Sequence, residues 1–115
     1  MNHLTLEILI STCGDGIHRV AAMLQAPRPD VGYVVSWQSD GASAGLYDGS
    51  PAVPAGLAER ADVRVVTMKG RGLSRNRNNA LRHAVAPLLL LADDDETFLP
   101  DAFDRIIDAF RRQPE

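Results

Sequence analysis

Five consecutive apolar residues, Leu88-Leu89-Leu90-Leu91-Ala92, run without interruption into three aspartates, Asp93-Asp94-Asp95. A strand with no polar alternation is one covered on both faces, so this segment predicts a central strand of a parallel sheet. In an open parallel sheet the ligand crevice lies just beyond the carboxyl ends of the strands, which is where the three aspartates fall. Hard divalent cations such as Mg²⁺ or Mn²⁺ prefer carboxylate oxygens and share themselves between one or two protein carboxylates and substrate phosphates. Three adjacent acids also repel one another unless a cation compensates. The competing interpretation is a solvated turn whose acids favour the start of the next helix through its dipole.

The remaining periodicities fit a sheet around that strand. Residues 6–10 are short, branched and apolar, closed by Ser11 and Thr12, and predict a first buried strand. Gly14-Asp15-Gly16 breaks it, and a helix is expected over 17–25, with Asp15 as its cap and Val20, Met23 and Leu24 inward. A second strand is expected at 32–36, a long polar loop at 40–54, a short helix at 55–60 and a third strand at 63–68. Leu73, Ala80, Leu81 and Ala84 stand at helical spacing over 73–85, before Pro87. Pro100 opens a last helix, to about residue 112, with Phe103, Ile106, Ile107 and Phe110 as its apolar stripe. Strands alternating with helices imply an α/β fold, a mostly parallel sheet with helices on both faces. A chain of 115 residues accommodates one such domain.

Charge is distributed unevenly. Residues 1–62 hold three arginines against seven acids, 63–92 hold six basic residues and no acid, and 93–115 hold eight acids against three arginines. The cationic block therefore runs directly into the acidic one, and Lys and Arg beside a bound metal are the usual means of neutralising a diphosphate. An acidic neighbour argues against a long polyanion, and no aromatic is interleaved with the arginines for base stacking, so nucleic acid is not expected as a partner. The longest apolar run, 84–92, is broken by Pro87 and falls far short of the roughly 20 residues of a membrane-spanning helix. No secretory leader pattern is visible at the N-terminus, and the single cysteine, Cys13, fits a reducing cytoplasm.

Residues 69–79, Lys-Gly-Arg-Gly-Leu-Ser-Arg-Asn-Arg-Asn-Asn, lead from the third strand into a helix N-terminus and form a candidate phosphate cradle, or else a solvated cationic face. They match neither the Walker phosphate loop nor the dinucleotide fingerprint. Thr12 and Cys13 at the end of the first strand, and Gln38, Ser39 and Asp40 at the end of the second, face the same crevice and are candidates to line a nucleoside pocket. Cys13 has no activating base nearby in sequence and is not expected to be a nucleophile. Trp37 is assigned to the core, and His3, His18 and His83 show no metal-ligand spacing. Asp93-x-Asp95-x-Thr97 also looks like a haloacid-dehalogenase-type phosphatase motif, but the chain lacks room for the later motifs of that family.

Three segments together resemble the N-terminal, nucleotide-sugar-binding half of inverting family 2 glycosyltransferases with the GT-A fold. The opening strand LEILISTCGD ends in Ser11-Thr12-Cys13-Gly14 where the family has a Pro-Thr-Tyr-Asn-like turn. GLSRNRNNAL (72–81) is similar to the family's helix motif, with Arg77 and Asn78 on its Arg-Asn pair. LLLLADDDETFLPDAF (88–103) looks like the family's strand, metal motif and following helix start. The resemblance implies Asp93 and Asp95 as metal positions for Mn²⁺ or Mg²⁺, Asp95 being the direct ligand. It also implies Thr12, Cys13, Arg77 and Asp94 as nucleotide-binding, with Gln38 or Asp40 replacing the base-recognising aspartate where the second strand ends Ser36-Trp37-Gln38-Ser39 instead of Asp-Asp-Gly-Ser. The same resemblance implies a nucleotide-diphosphate sugar donor, transfer to an acceptor hydroxyl with surface polysaccharide as the broad guess, and a chain truncated relative to the full enzyme that binds donor without turnover. The alternative is a shortened, non-catalytic fold acting as an interaction module, with a homodimer covering open sheet edges.

Overall fold

The computed structural model describes residues 4–39, 53–70 and 72–112. Among them, β1 (Leu6–Cys13), β2 (Val31–Gln38), β3 (Val63–Met68) and β4 (Leu88–Asp93) form one sheet in the order β3-β2-β1-β4. Every pairing is parallel, and the register aligns Ser11 with Ser36 on one side and with Asp93 on the other. The helices are α1 (Ile17–Val20), α2 (Ala55–Ala58), α3 (Leu73–Arg82) and α4 (Ala102–Arg112). The α/β architecture and the parallel sheet are those the sequence predicts. The loop expected at 40–54 lies mostly outside the described residues, as do Asp40 and His3.

Strand alternation divides the sheet into two faces. Leu6, Ile8 and Ile10 of β1 and Tyr33, Val35 and Trp37 of β2 join Ile17, Val20, Leu57, Phe103 and Ile107 in one large core beneath α1, α2 and α4. Full burial of each such side chain stabilises by about 1.5–3 kcal/mol. Phe103 packs edge-on against Tyr33, with ring centroids 6.3 Å apart, and Trp37 lies in this core as expected, its indole N–H donating to the Gly14 carbonyl at 2.8 Å. The other face carries only a small apolar cluster of Leu9, Val34 and Ala80 under α3, flanked by Val66 and Ala84.

Polar contacts complete that second face. Asn79 of α3 donates to the Ser36 hydroxyl at 2.8 Å, and Asn76 donates to the Thr12 carbonyl at 3.0 Å. Glu7, 1% exposed, accepts from the backbone amides of Val85 and Ala86 at 2.5 and 2.9 Å and from Arg64 at 3.2 Å. A buried carboxylate is tolerated when several donors meet it, and here it fastens the α3–β4 connection to β1.

Three local expectations are corrected. β4 is an edge strand of the described sheet, not a central one: Leu88, Leu90 and Ala92 face the large core, while Leu89 and Leu91 are 41% and 46% exposed. The expected helix at 17–25 is α1 flanked by two 3-10 turns, Gly14–Gly16 and Ala21–Met23, with Gly16 rather than Asp15 at the cap position. A run this short gives little return on helix nucleation and is held by Ile17, Val20 and Met23 in the core. In α3 the buried positions are Asn76 and Ala80, whereas Leu73 and Leu81 are exposed, because the helix meets the sheet through amides.

Candidate functional site

Where β4 ends, the chain tightens into a turn closed by the Glu96 amide donating to the Asp93 carbonyl at 3.2 Å and by the Glu96 carboxylate accepting from the Asp93 amide at 3.1 Å. This turn sends consecutive aspartates to opposite faces of the sheet. Asp93, still in strand register, points toward α3, where Arg77 lies 3.5 Å from its Oδ1. Asp94 turns toward α1: Thr12 donates to its Oδ2 at 2.6 Å and Arg19 to its Oδ1 at 2.6 Å. Asp95 is exposed at the tip. Hydrogen bonding to Asp94, and then the charges of Asp94 and Asp95, holds the Arg19 guanidinium protonated more firmly than usual.

Gly16 makes the Asp94 contact possible. A Cβ added there would overlap Asp94 Oδ2 and stand 2.8 Å from Thr12 Oγ1. The G-D-G segment after β1, legible in sequence only as a strand breaker, is thus the seat of the middle aspartate.

The turn borders a cleft of about 330 Å³ lined by Ser11, Thr12, Cys13, Gln38, Leu73, Asn76, Asp93, Asp94 and Asp95. The structure therefore brings together, around one crevice at the strand carboxyl ends, six of the sequence candidates: Thr12, Cys13, Gln38 and the three aspartates. Arg77 adjoins it through Asp93, and Asp40 lies outside the described residues. Gln38 is nearly fully buried and donates to the Gly72 carbonyl at 3.1 Å, tying β2 to the start of α3. Cys13 is exposed and free, with no basic side chain bonded to it among the described contacts.

Sequence reasoning passed over Arg19, Gly16 and Ser11, and took in Asn76 only as part of the candidate phosphate cradle at 69–79. Ser11 Oγ and Asn76 Oδ1, on residues that line the cleft, are buried without a hydrogen-bond partner among the described residues. Such orphaned atoms are uncommon in folded proteins and belong with a polar guest or ordered water. Among the described residues, no three His, Cys, Asp or Glu side chains converge as a ready-made metal cage. The turn offers two candidate carboxylates for a cation, Asp93, one oxygen of which lies 3.5 Å from Arg77, and the exposed Asp95, on either side of an Asp94 whose two oxygens are already engaged. That chemistry fits a hard divalent cation whose remaining positions are filled by phosphate and water.

No helix among the described residues is long and apolar enough to cross a membrane. No match was found among curated proteins. The family model for glycosyl transferase family 2 matches residues 45–115, which take in α2, β3, α3, β4, the aspartate turn and α4. With an α/β fold, a parallel sheet and a match over more than half its length, this chain belongs to glycosyl transferase family 2 and carries a glycosyltransferase-type function.

Proposed function

We propose that the cleft binds the nucleotide-diphosphate sugar donor of a metal-dependent, inverting glycosyltransferase, with the 115 residues forming one donor-binding domain. The observation that carries this reading is the aspartate turn at the carboxyl ends of parallel strands, lying inside the segment matched by the family model. The family generally uses a divalent metal and nucleotide-sugar donors.

In this reading Asp93 and Asp95 hold Mn²⁺ or Mg²⁺. Thr12, Cys13 and Gln38 line the nucleoside side of the cleft, and Asp94, fixed by Thr12, orients the turn toward it. Asp40 belongs to the same nucleoside group by its place after β2. Arg77, hydrogen-bonded at long range to Asp93, is the cation on the α3 side that faces the departing diphosphate. A bound divalent cation supplies Lewis-acid stabilisation of the charge that builds on the leaving group. Every carboxylate of the cleft has a role in this scheme, which leaves the base that activates an acceptor hydroxyl, and the acceptor site, to residues other than those lining the cleft. We assign the acceptor to the surface-polysaccharide class and the compartment to the cytoplasm.

A second reading, an interaction module, draws support from β4, whose outer edge is unpaired in the described sheet and whose Leu89 and Leu91 are exposed. Open edges of this kind invite a second copy.

Calorimetric titration of UDP and GDP, with and without Mn²⁺, separates the two. Metal-dependent binding that disappears in Asp95→Ala supports the donor site and identifies the base. Absence of binding to either nucleotide under every metal condition rejects it in favour of the interaction module.

A further inference from the structure

Arg19 pairs differently from Arg28 and Arg60. Arg28 and Arg60 each grip an aspartate two residues away through two nitrogens, Asp30 at 2.7 and 3.0 Å and Asp62 at 2.8 and 2.7 Å. These are bidentate, local clamps. Arg19 instead reaches across the chain to Asp94 with one nitrogen, at 2.6 Å, and its side chain is 61% exposed.

The position is also distinctive. Arg19 comes from α1 on one face of the sheet and Arg77 from α3 on the other, so two arginines bracket the aspartate turn. Ser11 Oγ and Asn76 Oδ1, on two residues that line the same cleft, are buried with no hydrogen-bond partner among the described residues, an independent sign that a polar molecule completes it. An exposed, single-bonded ion pair is weak, whereas a phosphate offers a guanidinium a bidentate, charge-assisted contact. Exchange of Asp94 for phosphate therefore costs Arg19 little. Asp94 remains anchored through Thr12 when Arg19 leaves, so the turn keeps its shape.

We infer that Arg19 is a second phosphate-binding residue of the cleft, exchanging its single bond to Asp94 for an oxygen of the donor's diphosphate. The inference rests on the donor-site reading and extends it: diphosphate is held between cations from both faces of the sheet, Arg19 and Arg77, above the metal carboxylates.

The test uses Mn²⁺-pyrophosphate, a probe that does not depend on the nucleotide base, titrated into wild type, Arg19→Ala, Arg19→Lys, Asp95→Ala and the remote control Arg105→Ala. Arg19→Ala is expected to weaken pyrophosphate binding about tenfold, the loss of a charge-assisted contact, with Arg19→Lys recovering part of it and Arg105→Ala unchanged. Melting temperature and affinity for Mn²⁺ alone stay at the wild-type values in Arg19→Ala, which a merely structural ion pair beside the metal turn would not predict. Unchanged pyrophosphate affinity in Arg19→Ala, with binding lost in Asp95→Ala, overturns the inference and leaves the donor site standing. Equal loss of Mn²⁺ and pyrophosphate affinity in Arg19→Ala also overturns it, by making Arg19 a strut for the turn. Failure of the wild type to bind Mn²⁺-pyrophosphate overturns both.

Discussion

The two faces of the sheet are built by different means. Beneath α1, α2 and α4 the packing is apolar and continuous, from Leu6 and Trp37 to Phe103 and Ile107. Beneath α3 a minimal apolar cluster is supplemented by Glu7, Ser36, Asn76 and Asn79, and the part of the sheet formed by β4 shows Leu89 and Leu91 to solvent. The first face supplies stability. The second holds a helix in place by polar bonds that reach the end of β1, and so aligns the α3 side of the cleft with the strand ends. The aspartate turn joins the two, Asp93 answering to α3 and Asp94 to α1.

That contrast predicts a graded response to substitution. Ile10→Ala in the large core is expected to cost about 3–4 kcal/mol by urea unfolding, while Leu91→Ala on the opposite face costs less than about 1 kcal/mol. Comparable losses at the two positions would mean that the α3 face is covered as fully as the other. Glu7→Ala leaves the amides of Val85 and Ala86 without their acceptor and is expected to cost about 3 kcal/mol, with Glu7→Gln milder because an oxygen is retained. A negligible effect would show that polar bonds are not what holds α3 down. Gly16→Ala forces a Cβ into Asp94 and Thr12 and is expected to cost about 1–3 kcal/mol, as overpacking does, while weakening metal-dependent nucleotide binding.

The smallest expected effect comes from the end of the sheet away from the aspartates. Arg28 holds the Asp30 carboxyl below its ordinary range by hydrogen bonding, and Arg60 does the same to Asp62. Because both folded-state values are depressed, their stabilisation is fully present above the ordinary carboxylate pKa of about 4 and is lost as pH falls through the lower folded values. Both pairs are partly solvated, so each contributes on the order of 1 kcal/mol or less. Arg60→Gln should flatten the acid limb of the stability profile below about pH 4 and leave the neutral region nearly unchanged.

Much of this organisation was legible in the sequence, for identifiable reasons. The strand cores at 6–10, 32–36 and 63–68 carry their own patterns, and β3 was located to the residue. The stretch at 88–92 has the continuous apolar character of β1, yet one is an edge and the other central. A strand's pattern records what finally covers it, and says nothing of which neighbours within these residues do so. The inner face of α3 escaped the apolar period because it meets the sheet through Asn76 and Asn79, and Leu73 and Leu81 fit the period while remaining exposed. Arg19 escaped because its partner, Asp94, is 75 positions away, where no local spacing rule reaches. The acids and arginines of the basic-to-acidic junction were visible, but the division of Asp93 and Asp94 between two faces arises from strand alternation and the turn at Glu96.

The most direct test of the central claim is where a paramagnetic metal sits. Mn²⁺ added in small amounts with UDP or GDP to isotopically labelled protein should broaden the amide resonances of Thr12, Asp93, Asp94, Asp95 and Glu96, and spare those of Glu59 to Asp62 at the opposite end of the strands. Broadening that avoids the aspartate turn, or gathers at the far end of the sheet, would contradict a metal-dependent donor site at the strand carboxyl ends.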